Sequence, residues 1–295
     1  MGAAKYAIGL VLVLVLVVGH GARAGQPTTA AADEPAARRC TQPTDAPAGA
    51  PRLGISAEHL LLAGLILLAA GALQGAVGFG SGLVSVGLIG AMVGIRQASI
   101  AFCFPALVLC LLMLYRLREH FRWQRVAPVA VSLVVGVPLG VWFFVRAEPR
   151  VLEIVLGSLM AVTVVYNLTP RLARRPWHPV FAGIPCGLLS GAISGALSTG
   201  GPSLVAYLST QRFGRLRFVA SLQVLFVINT SVRLVELIRR DVFTPATVSL
   251  GLVGAVALPL GALVGLRLLK KIPDRPFRWI VLVLLTVLAI RYLLP

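Results

Sequence analysis

Two glycine clusters hold the residue types from which a ligand site could be built. One is Gly75-Ala76-Val77-Gly78-Phe79-Gly80-Ser81-Gly82-Leu83-Val84. The other is Gly195-Ala196-Leu197-Ser198-Thr199-Gly200-Gly201-Pro202-Ser203-Leu204. Each interrupts an apolar run too long for one straight crossing of a bilayer, so each marks a broken helix. Backbone groups freed by such a break cannot face lipid, where an unsatisfied amide costs several kcal/mol; they must face protein or a wet cavity. Gly78, Gly80, Gly82, Gly200 and Gly201 let the chain turn and come close to a guest. Ser81, Ser198, Thr199 and Ser203 add hydroxyl donors. Helices resuming near Leu83 and Ser203 would aim unpaired N–H groups and a positive dipole end at that cavity, which suits an anion with several oxygens. Close packing of helices through small residues needs the same composition and is the competing reading.

A second constellation lies on residues 218–238. Asn229 and Arg233 are four apart and share a helix face, with Gln223 one or two turns earlier. An arginine inside a span either faces an interior cavity or snorkels to the surface. Arg233 is close enough to the span end to snorkel or to pair with Glu236, so both roles stay open. If it serves only as a point charge for an anion, lysine should largely replace it. Gln74, just before the first cluster, is a weaker candidate.

Other chemistry lacks its residues. All four histidines fall outside the span interiors, and Glu153 and Glu236 are the only carboxylates within spans. There is no His/Glu metal set, no axial haem pair and no nucleophile elbow with an intramembrane histidine. The expectation is therefore no enzyme, no cofactor and no metal. The four cysteines have no paired spacing and read as small buried hydrophobes, with Cys40 alone in a polar linker.

These residues must be positioned by membrane helices. The chain has 295 residues, 58% hydrophobic and 13% charged, with a mean hydropathy of +0.90, far from the composition of a soluble domain. The net charge of +17 would suggest nucleic acid in a soluble protein, but the arginines lie in short loops between apolar runs, where positive charge orients helices. Nucleic acid is not an expected partner; the bilayer and a small anion are.

Apolar segments fall at about 60–93, 97–115, 126–145, 151–169, 180–211, 218–238, 245–266 and 277–294. The two long ones open two similar halves. The glycine clusters align at an offset of 120, and Pro138-Leu139-Gly140 aligns with Pro259-Leu260-Gly261 at an offset of 121. The fold expected is an all-α polytopic membrane protein of two homologous halves with four hydrophobic segments each. If all eight segments cross, the loops on each face carry eleven positive residues and show no bias. If each long segment is a re-entrant hairpin, the count becomes fifteen against seven, with the N-terminus on the less positive face. Three crossings per half then invert the second half relative to the first. Eight crossings with parallel repeats is the rival arrangement. Trp123, Trp142, Trp177 and Trp279 all fall near segment ends, where indole rings favour the headgroup boundary.

Residues 1–24 read as a secretory signal, with Lys5, an apolar core at 7–18 and Ala22-Arg23-Ala24 as the cleavage site. Residues 25–57 read as a disordered linker rich in proline and alanine. The two repeats are expected at 58–170 and 171–295.

The clusters GAVGFGSGLVSV (75–86) and GALSTGGPSLVAYL (195–208) resemble the paired glycine motifs of the TauE/SafE sulfite exporter family. NTSVRLVEL (229–237) is similar to that family's second-half helix, and the basic turn Lys270-Lys271-Ile272-Pro273-Asp274-Arg275 also fits. The resemblance covers residues 58–294. It implies a small-anion permease handling sulfite, organosulfonates or related sulfur-containing anions. Carried over position by position, its motif residues are Gly78, Gly80, Gly82, Gly200, Gly201, Pro202, Asn229 and Arg233. The first cluster departs from the continuous glycine run of many members. The chain is thus expected to be a carrier or facilitator in the cell (inner, plasma) membrane. A structural or assembly role, with glycines that only pack helices, is the alternative. A homo-oligomer stays open.

Overall fold

The computed structural model describes residues 57–123, 126–168, 179–211, 213–268 and 274–294. The expected signal segment, the linker up to residue 56, and the Trp177 and Trp279 side chains lie outside the described residues. Their regular structure is helical: α1 (Ala57–Val77), α2 (Ser81–Val93), α3 (Ile95–Leu117), α4 (Ala127–Arg146), α5 (Pro149–Leu168), α6 (Pro179–Leu197), α7 (Gly201–Thr210), α8 (Arg215–Arg239), α9 (Pro245–Leu268) and α10 (Asp274–Leu293). Six of them are long and apolar enough to cross a membrane. Their outward faces agree with that. Val131, Val135, Leu139 and Trp142 form an exposed stripe on α4, and Leu252, Val256, Leu260 and Val264 form one on α9. Spacing of three or four residues keeps each stripe on one face, and apolar bands of that extent are stable against lipid rather than water.

Both long apolar segments are broken at their glycine clusters. The first divides into α1 and α2 at Gly78-Phe79-Gly80, where Gly78 and Gly80 have φ of 92° and 102°, backbone that favours glycine. The second divides into α6 and α7 at Ser198-Thr199-Gly200, and Ser198 holds φ at 60°, the position equivalent to Gly78 at the offset of 120. The helices resume at Ser81 and Gly201, two residues earlier than expected. Pro202 is compatible with this because a proline in the first turn lacks only an N–H that would be unpaired anyway.

Bare backbone surfaces hold the bundle together. Gly71 and Gly75 on α1 lie against the carbonyls of Leu258 and Ala262 on α9, while Gly261 and Gly265 lie against those of Leu68 and Ala72. The pair α4 and α6 repeats this: Gly136 and Gly140 meet Leu188 and Ala192, and Gly191 and Gly195 meet Leu133 and Val137. A Cβ at any of these eight glycines would fall onto a carbonyl, so they are packing glycines of the small-x-x-x-small kind.

Register gives helix direction. Positions rise together along both pairs, so α1 is parallel to α9 and α4 to α6. Gly251 faces Ala101 and Gly254 faces Pro105, so α3 is parallel to α9 as well. Gly82 faces Phe102 and Gly90 faces Ile95, so α2 runs antiparallel to α3. Arg233 reaches Ser99 and Thr230 meets Cys103, so α8 is antiparallel to α3. Arg96, at the start of α3, donates to the carbonyl of Ala147, just past the end of α4, so α4 opposes α3 and runs with α8. Along the chain, then, α2 returns between two helices, α1 and α3, that point the same way. Gly200 lies against Ser190 and Ser194 and Gly183 against Tyr207, so α7 runs antiparallel to α6 and returns between α6 and α8 in the same relation.

Candidate functional site

Midway along α3 and α8 the two breaks meet. Gly82 lies against the Ser198 carbonyl, and a Cβ at Gly201 would stand 3.9 Å from that of Phe79. Between them is a cavity with about 40 Å³ open to the centres of water-sized guests, room for about three waters at ~10–15 Å³ each. An anion of about four heavy atoms is of similar bulk. Both break segments line it, with Phe102, Ala106 and Cys110 from α3 and Phe226, Asn229 and Thr230 from α8. None of the described lining residues is acidic or basic.

Two helix N-termini open on this cavity, those of α2 and α7, and neither has a side-chain cap. Their unpaired N–H groups and dipole ends make the wall electropositive without a formal charge. The Thr199 hydroxyl can donate into the same hollow, and Asn229 brings an amide with both a donor and an acceptor end. Thr199 and Asn229 are 3% and 4% exposed, and Thr199 Oγ1 and Asn229 Oδ1 have no hydrogen-bond partner. Buried polar atoms are almost always satisfied, so two orphans in one hollow point to a missing guest. The Ser81 and Ser194 hydroxyls of the lining are engaged. Ser81 donates to Gln74 Oε1, Gly200 N–H donates to Ser194 Oγ at 2.9 Å, and Ser190 Oγ donates to Gly200 O at 2.6 Å.

Helix α8 holds both breaks in place. Gln223 Nε2 donates to the carbonyl of Gly78 at 3.0 Å. Arg233 Nε donates to the carbonyl of Gly195 at 3.0 Å, a group left without its helical N–H because α6 ends at Leu197. The same guanidinium donates to Ser99 O at 3.0 Å and Ser99 Oγ at 2.8 Å, and it lies 5.5 Å over the Phe144 ring. Arg233 is 1% exposed. Snorkelling and pairing with Glu236 are therefore both overturned; Glu236 faces Arg239 and Arg240 at 3.5 and 3.7 Å.

Of the residues singled out from the sequence, Gly80, Ser81, Gly82, Ser198, Thr199, Gly200, Gly201, Pro202 and Asn229 come together around the cavity, as does Gln74. Gly78, Ser203 and Arg233 are outside its lining. Gly78 forms the bend behind it, and Arg233 sits one turn beyond Asn229. The sequence reading missed Phe102, Ala106, Cys110, Ser194, Phe226 and Thr230 as lining. Ser194 had a usable signal, because Ser190 and Ser194 are four apart and so share one face of the helix that leads into the second cluster. The phenylalanines had none, since one apolar position in a hydrophobic span looks like another. Among the described residues no three His, Cys, Asp or Glu side chains converge as metal ligands.

A helical bundle with apolar outer faces and a polar hollow at mid-depth defines a multi-pass membrane protein. The chain belongs to the sulfite exporter TauE/SafE family, whose model matches residues 62–292. This is a family of membrane transporters. Compared with curated proteins and with solved structures, the chain has no significant match.

Proposed function

We propose that the cavity is the transport site for a small oxyanion, sulfite, an organosulfonate or a related sulfur-containing anion, carried across the plasma membrane. One observation carries the reading: two uncapped helix N-termini and the unpartnered, buried Thr199 hydroxyl share a hollow whose described lining has no carboxylate. Such neutral donors favour an anion over a cation or a neutral guest. Arg233 acts at one remove, by fixing the second break and adding positive potential. Opposed directions of α1 and α6, each with a returning partner, support two inverted repeats with re-entrant hairpins.

Purified protein in sealed vesicles, offered sulfite, thiosulfate, short sulfonates and carboxylates in turn, tests the proposal. Flux is expected for the sulfur oxyanions. Thr199→Val and Asn229→Leu should each lower it about 10-fold or more, the loss of one hydrogen bond to a charged guest, with helical content unchanged by circular dichroism. No flux of any anion from well-folded protein rejects the proposal. The alternative, a structural protein whose glycines only pack helices, draws on the eight packing glycines between α1 and α9 and between α4 and α6. Those are separate from Gly78, Gly80, Gly200 and Gly201 at the breaks, which that account leaves unexplained.

A further inference from the structure

Outside the cavity, two tyrosines make matching contacts that the anion reading does not use. Tyr292, near the end of α10, donates from Oη to the carbonyl of Gly87 on α2 at 2.6 Å. Tyr166, near the end of α5, has its Oη 3.1 Å from Ser209 Oγ on α7. Ser209 already donates to Ala206 O at 2.8 Å, so Tyr166 is the donor. In each case the last helix of one half reaches the returning helix of the other.

Geometry places these ties on opposite sides of the cavity. Gly87 is six residues along α2 from its cavity end and Ser209 eight along α7, about 9 and 12 Å at 1.5 Å per residue. Since α2 opposes α3, α7 opposes α8 and α3 opposes α8, the helices α2 and α7 lead away from the cavity toward opposite faces. Neither tie is needed by the helix it grips. The Gly87 carbonyl lies inside α2 and keeps its own helical acceptor role when Tyr292 leaves, and α7 likewise retains its ladder. Release exposes a hydroxyl that needs water, and opening toward a face supplies water. Both contacts are therefore cheap to break and remake, and both are made in this structure.

We infer that Tyr292 and Tyr166 are positioning residues of the transport cycle: Tyr292 holds α2 shut against one face, Tyr166 holds α7 shut against the other, and opening releases one tie at a time. This rests on the cavity being the transport site, but its test uses no anion. Cys110 lines the cavity and is buried. With Cys40, Cys103 and Cys186 replaced by alanine, its reaction with a membrane-impermeant methanethiosulfonate is followed in right-side-out and inside-out vesicles. Tyr292→Phe should speed labelling about fivefold, the shift one net hydrogen bond supplies, from the face toward which α2 leads. Tyr166→Phe and Ser209→Ala should do so from the opposite face. Hydrogen–deuterium exchange on single variants of the otherwise native chain gives a second readout, with faster exchange in α2 alone for Tyr292→Phe and in α7 alone for Tyr166→Phe. Wild-type labelling and exchange in the variants, or equal acceleration from both faces, overturns the inference. Absent flux with face-specific labelling would instead reject the anion reading and leave the ties standing.

Discussion

Two adjacent glycines in the second cluster have opposite tolerances. A Cβ at Gly200 would collide with Ser194 Oγ and the Ser190 carbonyl, whereas one at Gly201 would rest 3.5 Å from the Phe226 ring. Gly200→Ala should therefore destabilise the protein by about 1–3 kcal/mol, the usual cost of overpacking, seen as a lower melting temperature in detergent. Gly201→Ala should leave the melting temperature within a few degrees and lower flux, because its methyl group enters the anion's space. Arg233 gives the second contrast. A single ammonium cannot span Gly195, the Ser99 carbonyl and the Ser99 hydroxyl at once. Arg233→Lys should thus lose stability nearly as Arg233→Ala does, by about 1–3 kcal/mol for freed buried acceptors, measured by thermal unfolding. The expectation that lysine largely keeps anion flux belongs to a point charge, whereas this guanidinium is a three-way brace. The sequence announced a costly arginine within a span; it could not announce the partners, which come from α3 and α6.

At the scale of elements, segment positions and both breaks were legible because hydropathy and glycine clustering are local signals. The pairing of segments was not. Gly71, Gly75, Gly261 and Gly265 read as part of a general abundance of small residues until α1 and α9 are seen back to back. The contact of α6 with α4 matches that of α1 with α9 at the same offset near 120. The equivalent residues Gly140 and Gly261 therefore make a matched pair. Gly140→Val and Gly261→Val should lower the melting temperature by similar amounts, each worth about 1–3 kcal/mol of overpacking.

For the whole molecule, the charge count favoured hairpins but left eight simple crossings open. Helix directions agree with the hairpin reading, and topology tests it. Glu148 and Gly214 are both exposed. As single cysteines they should label from opposite faces of the membrane if α6 and α7 form a hairpin; eight straight crossings would put them on the same face. The signal and linker expected at 1–57 enter none of these arguments.

The cross-pairing of α1 with α9 and α6 with α4 also bears on biogenesis. Helix α1 packs on α9 and α4 on α6, so a ribosome finishing residue 168 has made a piece whose bare glycine grooves still wait for mates. Expressed alone, residues 1–168 and 169–295 should each be degraded, and produced together from separate messages they should rescue one another.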